Sequence, residues 1–283
     1  MTLTVLFAAR PGLWPHYEAP LARAFAAEGL DVRLVREAAP ESVDYIVLTP
    51  DTHITDFTPY TGAKAVLSLW AGVERLLANP TLTQPLTRMV DPGLTEDMTA
   101  YVAAQVLRHH LDLDRYIVNP GGDWAPRMAP RPGARAVTVL GLGALGAAAA
   151  RALAALGFDV AGWSRREKRI DGVTCLSGPG SLDAALARAE ILVTLLPHTP
   201  ETDGIMDAAR LARLPGGAVV INPGRGTLID EAALLSALDS GRIAHATLDV
   251  FRAEPLAEDH PFWAHPGVTV TPHIAAQTRP ETA

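Results

Sequence analysis

Three polar residues in the C-terminal half have the types and the placement for carbonyl chemistry. Arg225 follows the apolar run Ala218–Ile221, Glu254 follows Ala246–Val250, and His273 follows Val268–Val270. Each run reads as a buried parallel strand, and in an open α/β sheet ligands bind just beyond the carboxyl ends of the strands. A permanently charged arginine can hold a carboxylate and polarise a neighbouring carbonyl. A histidine near neutral pH can give the proton that a ketone needs as hydride reaches its carbon. A carboxylate beside that histidine favours its protonated form and fixes its orientation. Together they would do the work of a keto-acid reductase. Taken singly, each has a plainer reading: a helix-terminal arginine, a loop charge before Pro255, a core histidine. That plainer reading holds for His16, His53, His260 and His265. His109 and His110 point to different sides of a helix, and His198 and His245 have no visible acidic partner. No zinc-protease or Walker-type motif occurs, and no metal site is expected.

Hydride chemistry needs a donor, and residues 137–165, VTVLGLGALGAAAARALAALGFDVAGWSR, have the form of a dinucleotide site. Val137–Leu140 reads as a strand and the alanine-rich stretch to Leu156 as a helix that Gly157 stops; Val160–Trp163 reads as a second strand. Between the first strand and the helix, Gly141 permits a tight turn, Gly143 lets amides approach a pyrophosphate, and Gly146 lets the helix lie close on the strand. Ala144 and Leu145 open the helix, whose free N–H groups and dipole favour an anion. With 23 glycines in the chain the pattern alone is weak, and the strand–helix–strand order gives it weight. Asp159 stands at the wrong end of the second strand to hold a ribose 2′-hydroxyl. Ser164, Arg165 and Arg166 stand at the right end, with Lys168 and Arg169 close behind. A hydroxyl and two guanidiniums suit a 2′-phosphate, so NADPH is favoured and NADH is the alternative; a solvated basic loop is the plainer reading.

These groups need two α/β layers to position them. Residues 1–90 alternate strand and helix signals: strands at Thr2–Ala8, Asp31–Val35, Val43–Leu48 and Ala65–Trp70, and a helix at Ala19–Ala27. This part lacks a glycine fingerprint and is assigned to the substrate side. The amides of Ala71, Gly72 and Val73, after Trp70, are candidates for a substrate carboxylate. Leu94–Tyr116 reads as a long helix that Thr95 could cap, with Met98, Val102, Gln105/Val106 and His109 on one side. Asn119–Pro132, NPGGDWAPRMAPRP, cannot be helical and reads as an extended arm that crosses a subunit interface or buries Trp124 on its own domain. Strands follow at Val173–Leu176 and Ile191–Leu196, with helices at Leu182–Ala189, Ala208–Arg213 and Glu231–Leu238. The expected division is a substrate-binding domain over 1–93, with 275–283 returning toward it, and a dinucleotide-binding domain over 94–274.

Composition narrows the function classes. The chain has 283 residues, 48% hydrophobic and 19% charged, with a net charge of −7 spread along it. That speaks against nucleic-acid binding, which needs a concentrated basic face. Cys175 is the single cysteine, so an intrachain disulfide is impossible. The first residues, MTLTVLFAARPG, read as a strand, not as a signal peptide, and the longest uncharged stretch of the cofactor motif is too short and glycine-rich for a membrane span. A soluble cytoplasmic protein is expected.

GLGALG, TLLPHTPET, INPGRGTLIDEAAL, LDVFRAEPL and TPHIAA occur here in the order found in the D-2-hydroxyacid dehydrogenases, and the chain resembles that family from end to end. GWSRREK, DPGLTEDM and PHIAAQTRPETA are similar to its glyoxylate/hydroxypyruvate reductase A branch. The resemblance implies two Rossmann-like α/β domains, a flavodoxin-like substrate domain and a doubly wound dinucleotide domain, with the active site in the cleft between them. It implies NADPH-dependent reduction of glyoxylate or hydroxypyruvate to the D-2-hydroxy acid. It gives Arg225 the substrate carboxylate and carbonyl, His273 the acid/base role and Glu254 the partner role. It gives Asp249 the nicotinamide carboxamide, Ala71–Val73 the substrate carboxylate, and Ser164 and Arg165 the 2′-phosphate. Leu196, Pro197 and Thr202 lie on the loop over adenosine and ribose, and Asn222 belongs to the cofactor side. A homodimer built through the cofactor domain is implied as well. Two departures stand out, Glu74 in place of a frequent aspartate and Trp70 where a small residue is common; Trp70 is a substrate-binding candidate that would narrow the pocket toward small acids or add an apolar wall. Family members usually continue past the position of Ala283, so a longer chain is expected. The alternatives are a larger keto acid, phosphoglycerate or formate chemistry, use of NADH, and a dinucleotide-sensing binding protein.

Overall fold

The computed structural model describes residues 2–117 and 119–280. The chain divides into two compact units, Met1–Leu94 with Thr278–Ala283, and Thr95–Gln277. The last three residues of the expected 275–283 return lie outside the described residues.

The first unit contains β1 (Leu3–Phe7), α1 (Trp14–Ala27), β2 (Val32–Val35), β3 (Tyr45–Leu48), β4 (Ala65–Ser68), α2 (Glu74–Leu77) and β5 (Leu86–Thr87). All five strands are parallel, in the order β2-β1-β3-β4-β5, which is the flavodoxin-like order. Alternate residues of β1 feed opposite faces: Val5 and Phe7 pack with Tyr17 of α1, while Leu6 packs with Ile46, Leu48 and Phe57. β4 ends two residues earlier than the expected strand. Ser68 Oγ accepts the Trp70 amide at 3.2 Å, a local turn that competes with the ladder.

In the second unit α3 (Pro92–His110), which starts at the boundary, and α4 (Asp114–Ile117) precede β6 (Ala136–Leu140), α5 (Ala144–Ala155), β7 (Asp159–Ser164) and β8 (Thr174–Ser177). Then come α6 (Leu182–Ala187), β9 (Ile191–Thr194), α7 (Ala208–Leu211), β10 (Ala218–Asn222), α8 (Glu231–Asp239), β11 (Ile243–Leu248) and β12 (Val268–Val270). The seven parallel strands run β12-β11-β10-β9-β6-β7-β8, the doubly wound dinucleotide-fold order with one strand added. Strand order reverses between β6 and β9, so a crevice is expected beyond their carboxyl ends. One face of the sheet is covered by α3 and α5, through Val102, Val106, Ala150 and Leu153; the other by α6, α7 and α8, through Leu186, Leu211 and Leu234.

The long helix differs from expectation at both ends. Its cap is Asp91, whose Oδ1 accepts the Leu94 amide at 3.0 Å. Pro92, at the first helical position, needs no amide partner and presets φ, so Asp91-Pro92 starts the helix before Thr95 is reached. The helix stops at His110, and Asp112 takes a left-handed φ of +54° before α4. Asn119–Arg131 forms neither helix nor strand. It is tied locally, with the Tyr116 hydroxyl donating to the Ala125 carbonyl at 3.2 Å and accepting from the Arg127 amide at 2.8 Å. Trp124 is 95% and Met128 98% exposed, so Trp124 is not buried on its own domain.

Candidate active site

The glycine turn follows β6. Gly141 has φ +103°, and a Cβ there would lie 2.5 Å from the Leu195 carbonyl oxygen, so the loops after β6 and β9 touch. A Cβ on Gly146 would fall 1.8 Å from the Gly141 oxygen, which leaves α5 seated directly on the turn. Gly143 is different. Its φ is −72° and no atom lies within 4 Å of where its Cβ would be. The chain's own packing has no need of glycine at that position, and the open space at the N-terminus of a twelve-residue helix fits a pyrophosphate. Ala144 and Leu145 supply the first helical amides.

At the end of β7, Arg165 and Arg166 are exposed, as a 2′-phosphate site requires. Ser164 is buried and donates its hydroxyl to the Arg166 carbonyl at 2.7 Å, so it shapes the turn that presents the guanidiniums. Asp159 sits at the opposite end of β7 and pairs with Arg188. On the loop after β9, Leu196 is buried, and the Thr202 hydroxyl donates to the Pro197 carbonyl at 2.6 Å and accepts the Thr199 amide at 2.8 Å. These bonds hold the loop beside the crevice.

Arg225, Glu254 and His273 follow three neighbouring strands, β10, β11 and β12, and the structure brings them together. His273 Nδ1 lies 2.7 Å from Glu254 Oε2, and Glu254 Oε1 accepts the Phe251 amide at 2.9 Å. The Glu254 hydrogen bond raises the His273 pKa; burial and the Arg225 charge oppose it and do not cancel it. Burial acts to raise the Glu254 pKa, but the bonds from His273 and the Phe251 amide outweigh it, so the carboxyl titrates below its ordinary range. The imidazole side chain is 53% exposed, so its Nε2 edge can be reached by a ligand while Nδ1 is held.

Behind these groups stands a buried scaffold. Asn222 is almost fully buried; its Oδ1 accepts the Thr194 hydroxyl at 2.7 Å and its Nδ2 donates to the Arg225 carbonyl at 2.9 Å. Its amide is thus committed to the Arg225 turn. Arg225 Nη1 donates to the Gly224 carbonyl at 2.7 Å. Asp249 is fully buried, and its carboxylate accepts the Thr271 hydroxyl at 2.6 Å and the Ile274 and Ala275 amides at 2.9 Å. Asn222 and Asp249, both expected on the cofactor side, also hold the loops that carry Arg225 and His273. Thr194 and Thr271, which complete this scaffold, carry no motif of their own in the sequence.

In the first unit, Trp70 packs toward the Phe7–Tyr17 core, and the Arg10 guanidinium lies 5.5 Å over its ring while pairing with Asp51 at 2.7 Å. Ala71, Gly72 and Val73 lead into α2 at the carboxyl end of β4. His198 Nδ1 contacts the Thr227 hydroxyl at 2.8 Å, and His109 meets His245, in β11, with ring centres 4.9 Å apart and the rings tilted by 47°.

Residues 101–275 match the family model described as D-isomer specific 2-hydroxyacid dehydrogenase, NAD binding domain. A glyoxylate/hydroxypyruvate reductase A of Yersinia enterocolitica is 42% identical over 228 residues, 78% of this chain and 73% of that protein. A D-isomer specific 2-hydroxyacid dehydrogenase of Xanthobacter autotrophicus Py2, solved in complex with NADPH and MES, superposes with a TM-score of 0.93 at 42% identity, covering 100% of this chain and 91% of that one. An NADPH-dependent glyoxylate/hydroxypyruvate reductase of Sinorhizobium meliloti, in complex with NADP and sulfate, gives 0.86 at 38% identity, covering 99% and 90%. With its glycine cradle, its histidine–glutamate pair and these likenesses, the chain belongs to the D-isomer specific 2-hydroxyacid dehydrogenases.

Proposed function

We propose that the protein reduces a small 2-keto acid, glyoxylate or hydroxypyruvate, to the D-2-hydroxy acid with NADPH as hydride donor. The observation that carries this is the 2.7 Å His273–Glu254 pair beside the Arg225 charge, on the sheet edge where the glycine cradle opens. The similar proteins named for this reaction support the substrate class, and the NADPH- and NADP-bound relatives support the cofactor.

When bound, NADPH supplies the hydride that the carbonyl carbon accepts. Gly143 and the amides of Ala144 and Leu145 hold its pyrophosphate, and Arg165 with Arg166 its 2′-phosphate. Arg225 grips the substrate carboxylate and polarises the carbonyl. His273, kept protonated by Glu254, gives its Nε2 proton to the oxygen as negative charge develops there. The Nδ1–H···Oε2 bond fixes the ring so that Nε2 faces outward. We assign the backbone amides of Ala71, Gly72 and Val73 to the substrate carboxylate as well.

Among the described residues no helix is long and apolar enough to cross a membrane. We place the enzyme in the cytoplasm, where cofactor and keto acid are dissolved metabolites. We also propose a homodimer through the cofactor domain. Trp124, Met128 and Ile117 form an exposed apolar set on and beside the arm, of the kind that a second copy would cover.

The deciding experiment is the initial rate of NADPH and of NADH oxidation with glyoxylate, hydroxypyruvate and pyruvate. Fast NADPH use with the first two is expected. A preference for NADH would overturn the 2′-phosphate reading, and tight dinucleotide binding without turnover would favour a sensor.

A further inference from the structure

We propose that Tyr101 and Thr271 are positioning residues for His273, joined in a directed hydrogen-bond chain that runs Tyr101 hydroxyl to Thr271 hydroxyl to Asp249 carboxylate. The inference rests on the reading of His273 as the proton donor.

The direction follows from proton counting. Asp249 accepts two backbone amides, from Ile274 and Ala275, each at 2.9 Å, and a carboxylate has no proton to give. The Thr271 hydroxyl, 2.6 Å from Asp249 Oδ1, must therefore be the donor. Its single proton is then committed, so in the 2.8 Å contact between Tyr101 Oη and Thr271 Oγ1 the tyrosine donates. Burial pushes the Tyr101 phenol up to about 12, which keeps that donor protonated throughout the neutral range.

The chain ends on the segment that carries the imidazole. Residues on both sides of His273, at 271, 274 and 275, bond to the same Asp249 side chain. The His273 amide donates to the Asp249 carbonyl at 2.9 Å and to the Thr271 carbonyl at 3.0 Å. His273 itself has φ +53°, a left-handed backbone that a non-glycine residue keeps only where its surroundings enforce it. Glu254 holds the Nδ1 side of the ring; Asp249 and its two hydroxyl-bearing supports hold the backbone beneath it. The charged groups near His273 are Glu254, Asp249 and Arg225, and Arg108 lies near Tyr101.

The test uses the full chain with Thr271→Val, Thr271→Ser and Tyr101→Phe. Each is followed by kcat and KM for glyoxylate against pH, NADPH affinity, melting temperature, and an NMR titration of the His273 imidazole, assigned with His273→Gln. In Thr271→Val the loss of a hydrogen bond to a charged group should lower kcat about tenfold, with NADPH affinity little changed. The His273 titration should fall back toward its ordinary range, because a looser segment weakens the Glu254 bond. Thr271→Ser should restore both, and Tyr101→Phe should shift both in the same direction by less. If Thr271→Val and Tyr101→Phe lower only the melting temperature, the two residues are ordinary core and the proposal fails. It fails too if Thr271→Ser behaves like Thr271→Val. Should the wild-type protein not reduce glyoxylate, the functional reading falls, while the NMR titration still decides this one.

Discussion

Replacing Gly226 by alanine tests the assembly of the site at a position that takes no part in the chemistry. Gly226 follows Arg225, and its backbone lies flat against the segment after β11. A Cβ there would stand 1.9 Å from the Phe251 carbonyl carbon, 2.3 Å from its oxygen and 2.4 Å from the Arg252 nitrogen. Real Cβ contacts do not go below 3.0 Å, so the two loops must part by 1.1 Å or more. All three obstructing atoms are backbone, and no side chain can swing away. The Arg225 loop then moves relative to the loop on which Phe251 and Glu254 are bonded. A displacement of about 1 Å in a positioned group can cost about a hundredfold in rate, equivalent to about 2.7 kcal/mol at 1.36 kcal/mol per tenfold. Overpacking of this kind costs about 1–3 kcal/mol of stability, so the variant should remain folded at 25 °C. We expect kcat/KM for glyoxylate to fall about a hundredfold while the NADPH dissociation constant, read by fluorescence titration, stays within about threefold. The cradle after β6 is built from other loops. A variant with wild-type kcat/KM would refute the argument, as would one that lost NADPH affinity in step with turnover.

Glu254→Gln removes the charge that raises the His273 pKa. Reduction needs the protonated ring, so activity that is lost as pH rises should be lost at lower pH in this variant; an unmoved alkaline limb in the kcat/KM profile would remove Glu254 from its role. Because the two groups are bonded, the wild-type limb belongs to the pair. Arg165→Ala with Arg166→Ala should weaken NADPH far more than NADH, and equal losses would show a solvated loop. Trp124→Ala should shift the protein toward monomer in sedimentation equilibrium, and an unchanged mass would place the interface elsewhere or nowhere. Burial lowers the His109 pKa from 6.5 to about 3, with the neighbouring His245 charge acting in the same direction. The unfolded chain therefore takes up a proton that the folded chain refuses, and stability should drain away as pH falls from about 6.5 toward 3. His109→Gln should flatten that decline in thermal melts.

Local chemistry made much of this protein readable in its sequence. The strand–glycine–helix–strand order of 137–165 is a contiguous signal: the steric need for Gly146 arises at Gly141, five residues away, although that for Gly141 comes from the Leu195 backbone, which only the fold brings near. Arg225, Glu254 and His273 could be named because each follows an apolar run, and parallel strands present their carboxyl ends on one edge. Helix ends were harder. Asp91 displaced Thr95 as the cap of α3 because Pro92 favours a first helical position as much as a turn, and only the fold chooses between them.

The sequence by itself therefore determined the fold class and the cofactor motif, and it supplied the candidates Arg225, Glu254 and His273, since these rest on residue type and short spacing. Tertiary structure alone decided what holds them. Asn222 and Asp249 bond to the Arg225 turn and the His273 segment, a tie that no spacing in the sequence shows. Tyr101 lies within the long helix and carries no signal of its own in the sequence, yet its hydroxyl meets Thr271 from 170 residues away. The physical reason is that a buried polar group must find its partner in space, and the partner's place along the chain is set only when the strands are in register.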